Sequence, residues 1–413
     1  MNIKINLKSI GMGLLLLPFF EPAVFNIADS GFKSLSLTFS AFRVLISFYF
    51  IFIAAINIKL YKLNAPGYKY DLAFMAWITS MGIALLINDT VYPGFYRTLF
   101  CITGFYTLIK YNCNKSVYNF IKGLQSVLFI LCFINLVTLI TAPDGLMSGM
   151  IGDNRIWFLG GKNNFIVFGL PMMLAAYINR KFFNSNKKIF YLTYILFSLN
   201  GVIGRSSTYL LCWALITIYI FFKAWIPIKV LNAKFNTFTL LILMILLVVV
   251  NKITFINRII TMIFGKNESF SGRKAIWNQA IEYIQESPIF GVGVEKVYNP
   301  WTNDVLVNTA HNFFLETWVR YGVFTIISVV VLVILQSNFL DAFKHKSNEF
   351  IILTVFLFLI SSLMEVFDLY SRTFFFVFPV FVVTALMRDL SGREKKYDEK
   401  NIKQELSSYK SPI

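Results

Sequence analysis

Long apolar runs, separated by short polar stretches, dominate the chain. About twelve of these runs approach the length that a helix needs to cross a hydrocarbon core of roughly 30 Å. The predicted spans are residues 10–28, 36–58, 72–91, 94–111, 119–141, 164–179, 189–204, 207–226, 236–252, 311–336, 349–366 and 371–388. The first run lacks a small-residue cleavage site after a short apolar core, so we expect a retained span and not a removed signal peptide. The pattern predicts an all-α polytopic fold.

The composition is that of an integral membrane protein. Hydrophobic residues make up 57% of the 413 positions, aromatic residues 17% and charged residues only 14%, values outside the usual range of soluble domains. The cysteines, Cys101, Cys113, Cys132 and Cys212, lie within or beside predicted spans and have no paired spacing. They predict buried packing residues and not a disulfide framework or a metal cluster. We expect no metal and no other cofactor.

The formal net charge of +17 follows the predicted topology. Lysine and arginine fall in every second predicted loop and in the tail from residue 388 onward. This alternation is the positive-inside pattern of a membrane protein with both termini in the cytoplasm. The charge therefore indicates topology, and it does not predict a nucleic-acid partner.

The longest stretch without a span is predicted to lie on the external face of the membrane. It divides the chain into nine spans (1–252), the large external loop (253–310), three further spans (311–388) and a basic cytoplasmic tail (389–413).

The external loop contains a stretch, SGRKAIWNQAIEYIQESP, with the pattern of an amphipathic helix. Ile276, Ala280 and Ile284 recur at intervals of four, Ser271 can cap the helix, and Pro288 ends the run. We expect this helix to lie on the membrane surface or to pack over the bundle.

Topology does not explain a small set of basic residues on the external side. Its members are Arg155, Lys162, Arg205, Arg273, Lys274 and His311. Arg205 lies between two apolar runs joined by almost no loop, where a charge is costly unless it pairs, binds a ligand or snorkels to lipid phosphates. Arg273 falls in the first turn of the loop helix, where the macrodipole favours an anion. It predicts either an anionic ligand or a solvated surface charge.

Two kinds of titratable group accompany these cations. His311 is one of only two histidines in the chain and stands where the external loop meets a span. Imidazole can accept a proton near neutral pH and pass it on, so His311 is either a general base or an ordinary polar residue at a helix start. Glu365 and Asp368, at the outer end of the eleventh span, are expected to neutralise outer arginines or to hold a substrate hydroxyl.

Two stretches, SGRKAIWNQAIEYIQESPIFGVGVEKV and AHNFFLETWVRYG, together resemble the C-terminal signature of the O-antigen ligase and polysaccharide polymerase superfamily. The similarity consists of an arginine ahead of a tryptophan-containing loop helix, a Pro and Gly-x-Gly turn, and His-Asn opening the next span, followed by Glu and Gly. GRSS and NRIWFLGGKNN are similar to further motifs of that family. One departure is that Gly204 stands where the family has a serine before the arginine.

The resemblance implies a GT-C-like enzyme of the bacterial plasma membrane with an extracytoplasmic active site. The implied reaction is metal-independent, inverting glycosyl transfer from a glycan carried on undecaprenyl pyrophosphate. On this resemblance the catalytic residues are His311 as base and Arg273 and Arg205 on the pyrophosphate. The implied substrate contacts are Arg155, Lys162, Asn312, Glu316 and Trp277. The expected partners are lipid-linked oligosaccharides, membrane lipids, a flippase and chain-length regulator proteins.

The most specific expectation is a polymerase of lipid-linked repeat units for capsule, exopolysaccharide or O-antigen. The reason is that FLGGKNNF and FFEPAVF resemble capsule and exopolysaccharide polymerases of Gram-positive bacteria more closely than they resemble ligases. One alternative is a ligase that transfers finished glycan to lipid A core or to protein. Another is a transporter of the same lipid-linked sugars. Transporters place ionisable groups near the bilayer midplane, whereas the unexplained charges here gather at the predicted outer face.

Overall fold

The computed structural model describes residues 6–26, 31–57, 67–88, 93–148, 155–223, 232–250, 273–298, 307–343, 345 and 348–408. Within these ranges the side chains of residues 93, 148, 247–250, 274 and 391–408 are not described. The predicted helix cap Ser271 lies outside the described residues, and Lys274 is described in its backbone only.

The described backbone is mostly helical, because a helix satisfies the peptide hydrogen bonds of an apolar segment internally. The helices are α1 (Leu7–Leu16), α2 (Lys33–Ile56), α3 (Tyr68–Ile87), α4 (Pro93–Thr141), α5 (Ile166–Phe182), α6 (Lys187–Gly204), α7 (Ser207–Phe222), α8 (Ala233–Val250), α9 (Arg273–Glu286), α10 (Phe313–Ala342), α11 (Asn348–Ser362) and α12 (Leu369–Ser408). Short 3₁₀ turns cover Leu17–Phe20, Ala23–Asn26 and Lys162–Phe165. Two antiparallel strands, β1 (Met147–Ser148) and β2 (Arg155–Ile156), lie between α4 and α5.

Each predicted apolar run overlaps a helical segment. Among the described residues, five helices are long and apolar enough to cross a membrane, namely Lys33–Ile56, Tyr68–Ile87, Gly94–Thr141, Phe313–Ala342 and Leu369–Leu390. Leu7–Phe20, Ser207–Phe222, Ala233–Leu246 and Asn348–Ser362 are shorter apolar helices. The chain is therefore a helical integral membrane protein.

Helix α4 consists of two arms that meet at Ser116, where the backbone leaves the helical region (φ −162°, ψ 81°). Both ends of α4 reach the same side of the bundle. Phe95, near its start, lines one cavity together with Leu159. Thr138, near its end, accepts a hydrogen bond from the N–H of Phe158 at 3.4 Å. The two arms correspond to the separate spans predicted at 94–111 and 119–141.

The centre of the bundle is formed by α5 and the first half of α12. Nearly every side chain of α5 is buried, and α4 packs against both α5 and α12. Buried polar side chains pair across helices: Asn135 Nδ2 donates to Asn200 Oδ1 at 2.9 Å, and Asn179 Nδ2 donates to Gln125 Oε1 at 2.6 Å. Such pairs satisfy polar atoms that lipid cannot. The cysteines are all buried and free, as predicted.

Helix α9 packs on the start of α10 and forms a second, smaller core. Its apolar face is buried, with Ile276 and Trp277 each 2% exposed and Ala280 fully buried. The residues that meet this face are Tyr298, Ala310, Leu315 and Val319. The amphipathic pattern in the loop thus becomes a helix packed over the bundle.

The turn that follows α9 docks on a break in α10 at Gly322. Gly322 has φ 77° and ψ −174°, which interrupts the helical hydrogen bonds. The freed carbonyl of Val319 accepts a hydrogen bond from the N–H of Val292 at 2.7 Å. A Cβ at Gly322 would lie 1.9 Å from the carbonyl oxygen of Ile289, so glycine alone fits both the conformation and the contact. This docking fixes α9 relative to α10.

Candidate active site

Three polar side chains from distant parts of the chain meet at the carboxylate of Glu365, in the turn between α11 and α12. Arg273 Nη2 lies 2.9 Å from Glu365 Oε1. Asn163 Nδ2 donates to the same oxygen at 2.7 Å. His311 Nδ1 lies 3.7 Å from Glu365 Oε2. We call these four residues the Glu365 cluster. Of the two roles expected for Glu365, pairing with an arginine is observed, and the arginine is Arg273.

Arg205 adjoins the Glu365 cluster through its neighbour in the chain. Ser206 Oγ donates to Asn163 Oδ1 at 2.8 Å and also accepts from the N–H of Tyr209, which caps α7. Arg205 ends α6 in the left-handed conformation, with φ 50°. Its side chain is exposed, and no described carboxylate forms an ion pair with it. The residue beside Arg205 is therefore part of the hydrogen-bonded network around Glu365.

The backbone on both sides of His311 is fixed. Ala310 N donates to Glu316 Oε2 at 2.7 Å, and Ala310 O accepts from Trp277 Nε1 at 2.8 Å. Asn312 Oδ1 caps α10 by accepting from the first backbone N–H groups of that helix. His311 itself has φ 49°, a left-handed conformation that is uncommon outside glycine and is concentrated at functional sites. Its imidazole is 38% exposed.

Glu316 is the buried anchor of this segment. Besides Ala310 N, its carboxylate accepts a hydrogen bond from Tyr298 Oη at 2.9 Å and pairs with the Arg320 guanidinium. Arg320 also donates to the carbonyls of Val294 and Asn308. Burial, together with the Glu316 carboxylate, raises the pKa of Tyr298 well above its usual value, so its hydroxyl stays protonated and donates. Through these contacts, Glu316 and Arg320 hold the loop backbone at residues 294–298 and 308–310 against α10.

These contacts change the roles expected for two predicted substrate contacts. Asn312 is fully buried and Trp277 is 2% exposed. Trp277 has no open ring face for a sugar, and the side-chain oxygen of Asn312 is used as a helix cap. Both residues position the backbone around His311. Glu316, although 4% exposed, borders a large cavity.

The two remaining predicted contacts lie on the loop before α5. Arg155, on β2, pairs with the exposed Asp144 at 3.3 Å and is itself 45% exposed. Lys162 is exposed at the start of the 3₁₀ turn that carries Asn163. It is Asn163 that contacts Glu365. This asparagine belongs to the motif NRIWFLGGKNN, but the motif alone predicted no role for it.

A cavity of about 600 Å³ adjoins the Glu365 cluster. Its wall includes Asn164 and Val366, the chain neighbours of Asn163 and Glu365. Aromatic residues form much of the lining, and its charged residues are Glu21, Arg43, Glu316, Arg320, Asp368 and Arg372. The volume and the mixture of apolar walls with a few polar groups are typical of ligand pockets.

Two cavity arginines were missed from the sequence. Arg372 stands inside the apolar run 371–388, where an arginine is unusual enough to predict a functional site. Arg320 stands four residues after Glu316, the spacing of a helical ion pair. Asp368, by contrast, caps α12 by accepting from the N–H groups of Tyr370 and Ser371, each at 2.9 Å.

The chemistry available at the Glu365 cluster is that of one imidazole, one carboxylate and nearby guanidinium groups. Among the described side chains, no group of three or more His, Cys, Asp and Glu residues is arranged to hold a metal ion.

The fold and the site define a class: a helical integral membrane protein with a loop helix packed over the bundle and a polar cluster beside a ligand-sized cavity. Residues 190–330 match the O-antigen ligase family. The matched stretch contains Arg205, α9, Arg273 and His311, and the match confirms the resemblance seen in the sequence. No curated protein matches the chain.

Proposed function

We propose that the protein polymerises lipid-linked oligosaccharide repeat units by inverting glycosyl transfer at the Glu365 cluster. The growing chain would leave undecaprenyl pyrophosphate and join the non-reducing-end sugar of a new lipid-linked unit. The polymer would be a capsule, an exopolysaccharide or an O-antigen.

One observation supports this proposal above the others: Arg273 and His311 share the carboxylate of Glu365 beside the cavity of about 600 Å³. Transfer from a pyrophosphate needs a base for the acceptor hydroxyl and positive charge for the leaving group. Both must lie within the span of one sugar linkage, because proximity of the reacting groups supplies much of the rate gain.

His311 is suited to the role of base. Its Nδ1 faces Glu365 Oε2, so Nε2 is the nitrogen left to accept the proton of the acceptor hydroxyl. As that oxygen bonds to the anomeric carbon of the donor sugar, the bond from this carbon to the pyrophosphate oxygen breaks, and the electron pair leaves with the pyrophosphate. The Glu365 carboxylate orients the ring and stabilises the imidazolium that forms.

Arg273 and Arg205 are suited to the leaving group. Guanidinium groups bind phosphate oxygens through two parallel N–H donors. Arg273 stands in the first turn of α9, where free N–H groups and the helix dipole also favour an anion. Arg205 is exposed next to Ser206, which the network links to Asn163 and Glu365. Lys162, next to Asn163 in the chain, adds a further positive charge.

The proposed setting is the external face of a bacterial plasma membrane, with about twelve spans and both termini in the cytoplasm. In this GT-C-like layout α9 lies on the outer side and the Glu365 cluster lies at the membrane interface. There a lipid-linked pyrophosphate can enter from the bilayer while the sugars face the cavity.

Chain extension in vitro tests the proposal. Purified full-length protein is given a synthetic undecaprenyl-pyrophosphate repeat unit with EDTA present. Wild type and Arg180→Ala, whose arginine lies in the last turn of α5 and donates to the carbonyl of Ser185, should produce a ladder of products. Folded His311→Ala and Arg273→Ala should produce none. A ladder that is indifferent to His311 would overturn the assignment of the base.

A ligase remains the second candidate, because the matching family carries the description O-antigen ligase. The same assay separates the two functions when a pre-formed lipid-linked chain and an acceptor without pyrophosphate, such as lipid A core, are supplied. Single transfer to that acceptor, with no ladder from repeat units alone, identifies a ligase. Folded protein that gives no product in either assay favours the transporter alternative.

A further inference from the structure

Most of the charges that line the cavity beside the Glu365 cluster form an ion pair or a helix cap within the protein. Glu21 and Arg43 form an ion pair at 2.6 Å. Glu316 and Arg320 form another. Asp368 uses its carboxylate as the cap of α12. These groups shape the cavity without leaving a strong site for a ligand charge.

Arg372 differs from the other cations. It is 7% exposed and lines the cavity. Its Nε donates to the carbonyl of Phe367 at 2.5 Å, and its guanidinium lies over the ring of Phe313, 4.7 Å from the centroid. Within the described parts of the chain, no carboxylate forms an ion pair with it. Asp368 and Glu316 act on it electrostatically without forming an ion pair with it. A buried charge without a directly paired counter-charge is costly, so a ligand that places an anion against this guanidinium would be bound here.

The surroundings of Arg372 suit a sugar ring that carries one negative charge. Aromatic side chains, among them Phe19, Phe95 and Tyr370, form apolar walls against which the C–H faces of a sugar can pack. Among the described residues Arg372 is the cavity arginine without an ion pair, and its guanidinium can match a carboxylate through two parallel hydrogen bonds. A phosphate would bring close to two negative charges, and the other cavity arginines are already paired.

We propose that this cavity holds a sugar of the repeat unit and that Arg372 binds a carboxylate on that sugar, so that the protein acts on acidic repeat units of the uronic acid type. This inference rests on the proposed function for the sugar's place in the reaction. The expected preference for a carboxylate over a neutral hydroxymethyl group follows from the geometry of the cavity alone.

The test measures binding, so that it does not depend on turnover. Full-length wild type and Arg372→Gln in lipid nanodiscs are titrated with methyl glucuronoside and methyl glucoside, which differ only in the carboxylate, by saturation-transfer NMR. Wild type should bind the glucuronoside about 10-fold more tightly, the effect of one charged hydrogen-bonded pair. Arg372→Gln should bind both sugars as wild type binds the glucoside.

Controls separate this effect from loss of folding and from other anions. Arg180→Gln, in the last turn of α5, should keep the preference, and Arg372→Lys should keep part of it. Glucose 6-phosphate should bind no more tightly than the glucuronoside, and undecaprenyl phosphate should not displace the glucuronoside. Equal binding of both methyl glycosides by wild type, or an unchanged preference in Arg372→Gln, would overturn the inference. Tighter binding of the sugar phosphate would overturn the choice of a carboxylate.

The outcome is also distinguishable from that of the proposed function. A carboxylate preference that depends on Arg372 in a protein without chain extension supports the cavity assignment and removes the polymerase. Chain extension of neutral repeat units as fast as of acidic ones, with His311 still required, keeps the polymerase and overturns the role of Arg372.

Discussion

Arg273 Nη2 lies 2.9 Å from Oε1 of Glu365, so the first turn of the loop helix is tied by charge to the turn between α11 and α12. The other oxygen of the same carboxylate faces His311. A single acidic side chain thus holds a cation and an imidazole, and its chain neighbour Val366 lines the cavity. Four predictions test what this arrangement and its supports contribute.

Replacing Glu365 by glutamine should lower the turnover rate about 100-fold, the scale of a general-base contribution. The amide oxygen can still accept from Asn163, but a neutral group no longer stabilises the imidazolium of His311. Initial rates of chain extension across substrate concentrations give kcat and KM. Asp341→Asn is the matched control, since this aspartate caps α8 by accepting from the N–H groups of Ala233 and Lys234. It should stay within about threefold of wild type because asparagine also caps helices. Equal losses in both variants would contradict a specific role for Glu365.

Arg273→Lys should lower kcat/KM at least about 10-fold, because lysine keeps the charge but cannot bind phosphate oxygens through two parallel donors. Displacement of the lipid-linked substrate by undecaprenyl pyrophosphate should weaken in the same variant. Arg180→Lys, in the last turn of α5, should change neither quantity. If the two lysine variants behave alike, Arg273 does not contact the leaving group.

Trp277→Phe should lower the free energy of unfolding by about 1–2 kcal/mol, the cost of leaving the buried carbonyl of Ala310 without its 2.8 Å hydrogen bond. Because the ring is 2% exposed, KM for the lipid-linked unit should not change. Thermal melting in detergent and the KM of the variant measure the two effects. A raised KM with unchanged melting would show that Trp277 contacts the sugar after all.

Gly322→Ala should destabilise the protein by about 2–4 kcal/mol, because the added methyl group collides with the backbone of Ile289 and the positive φ disfavours alanine. The collision is severe: the Cβ would lie 1.9 Å from the carbonyl oxygen. Melting temperature and protease resistance of the loop report the effect. Gly11→Ala is the control, since nothing lies within 4 Å of a Cβ at that helical position. A normal melting temperature for Gly322→Ala would mean that the turn after α9 is not docked there.

Local patterns predicted the parts of the site that belong to one segment. The interval between Ile276, Ala280 and Ile284 predicted a helix with one apolar face, and α9 buries Ile276 and Ala280. An outward arginine and a histidine at a span boundary stand out in a chain with 14% charged residues, which is why the sequence alone makes Arg273 and His311 candidates.

Single positions were harder to interpret when one residue type serves two purposes. A tryptophan such as Trp277 can stack on a sugar ring or fill a protein core, and only the burial of its side chain distinguishes these two roles. Asn312 was expected to touch substrate, yet an asparagine before a helix is equally suited to capping it. In both cases the deciding quantity is solvent exposure, which no local pattern contains.

By itself the sequence determined that this chain is a helical membrane protein, where its helices run, and which cations topology leaves unexplained, because hydropathy and charge act over neighbouring residues. The tertiary structure alone decided that Asn163, Arg273, His311 and Glu365 meet, that Gly322 receives the turn after α9, and that Arg372 faces a cavity without an ion pair to a described carboxylate. Those facts depend on contacts between segments far apart in the chain. Their geometry is set by how the helices pack, and no single segment determines that packing.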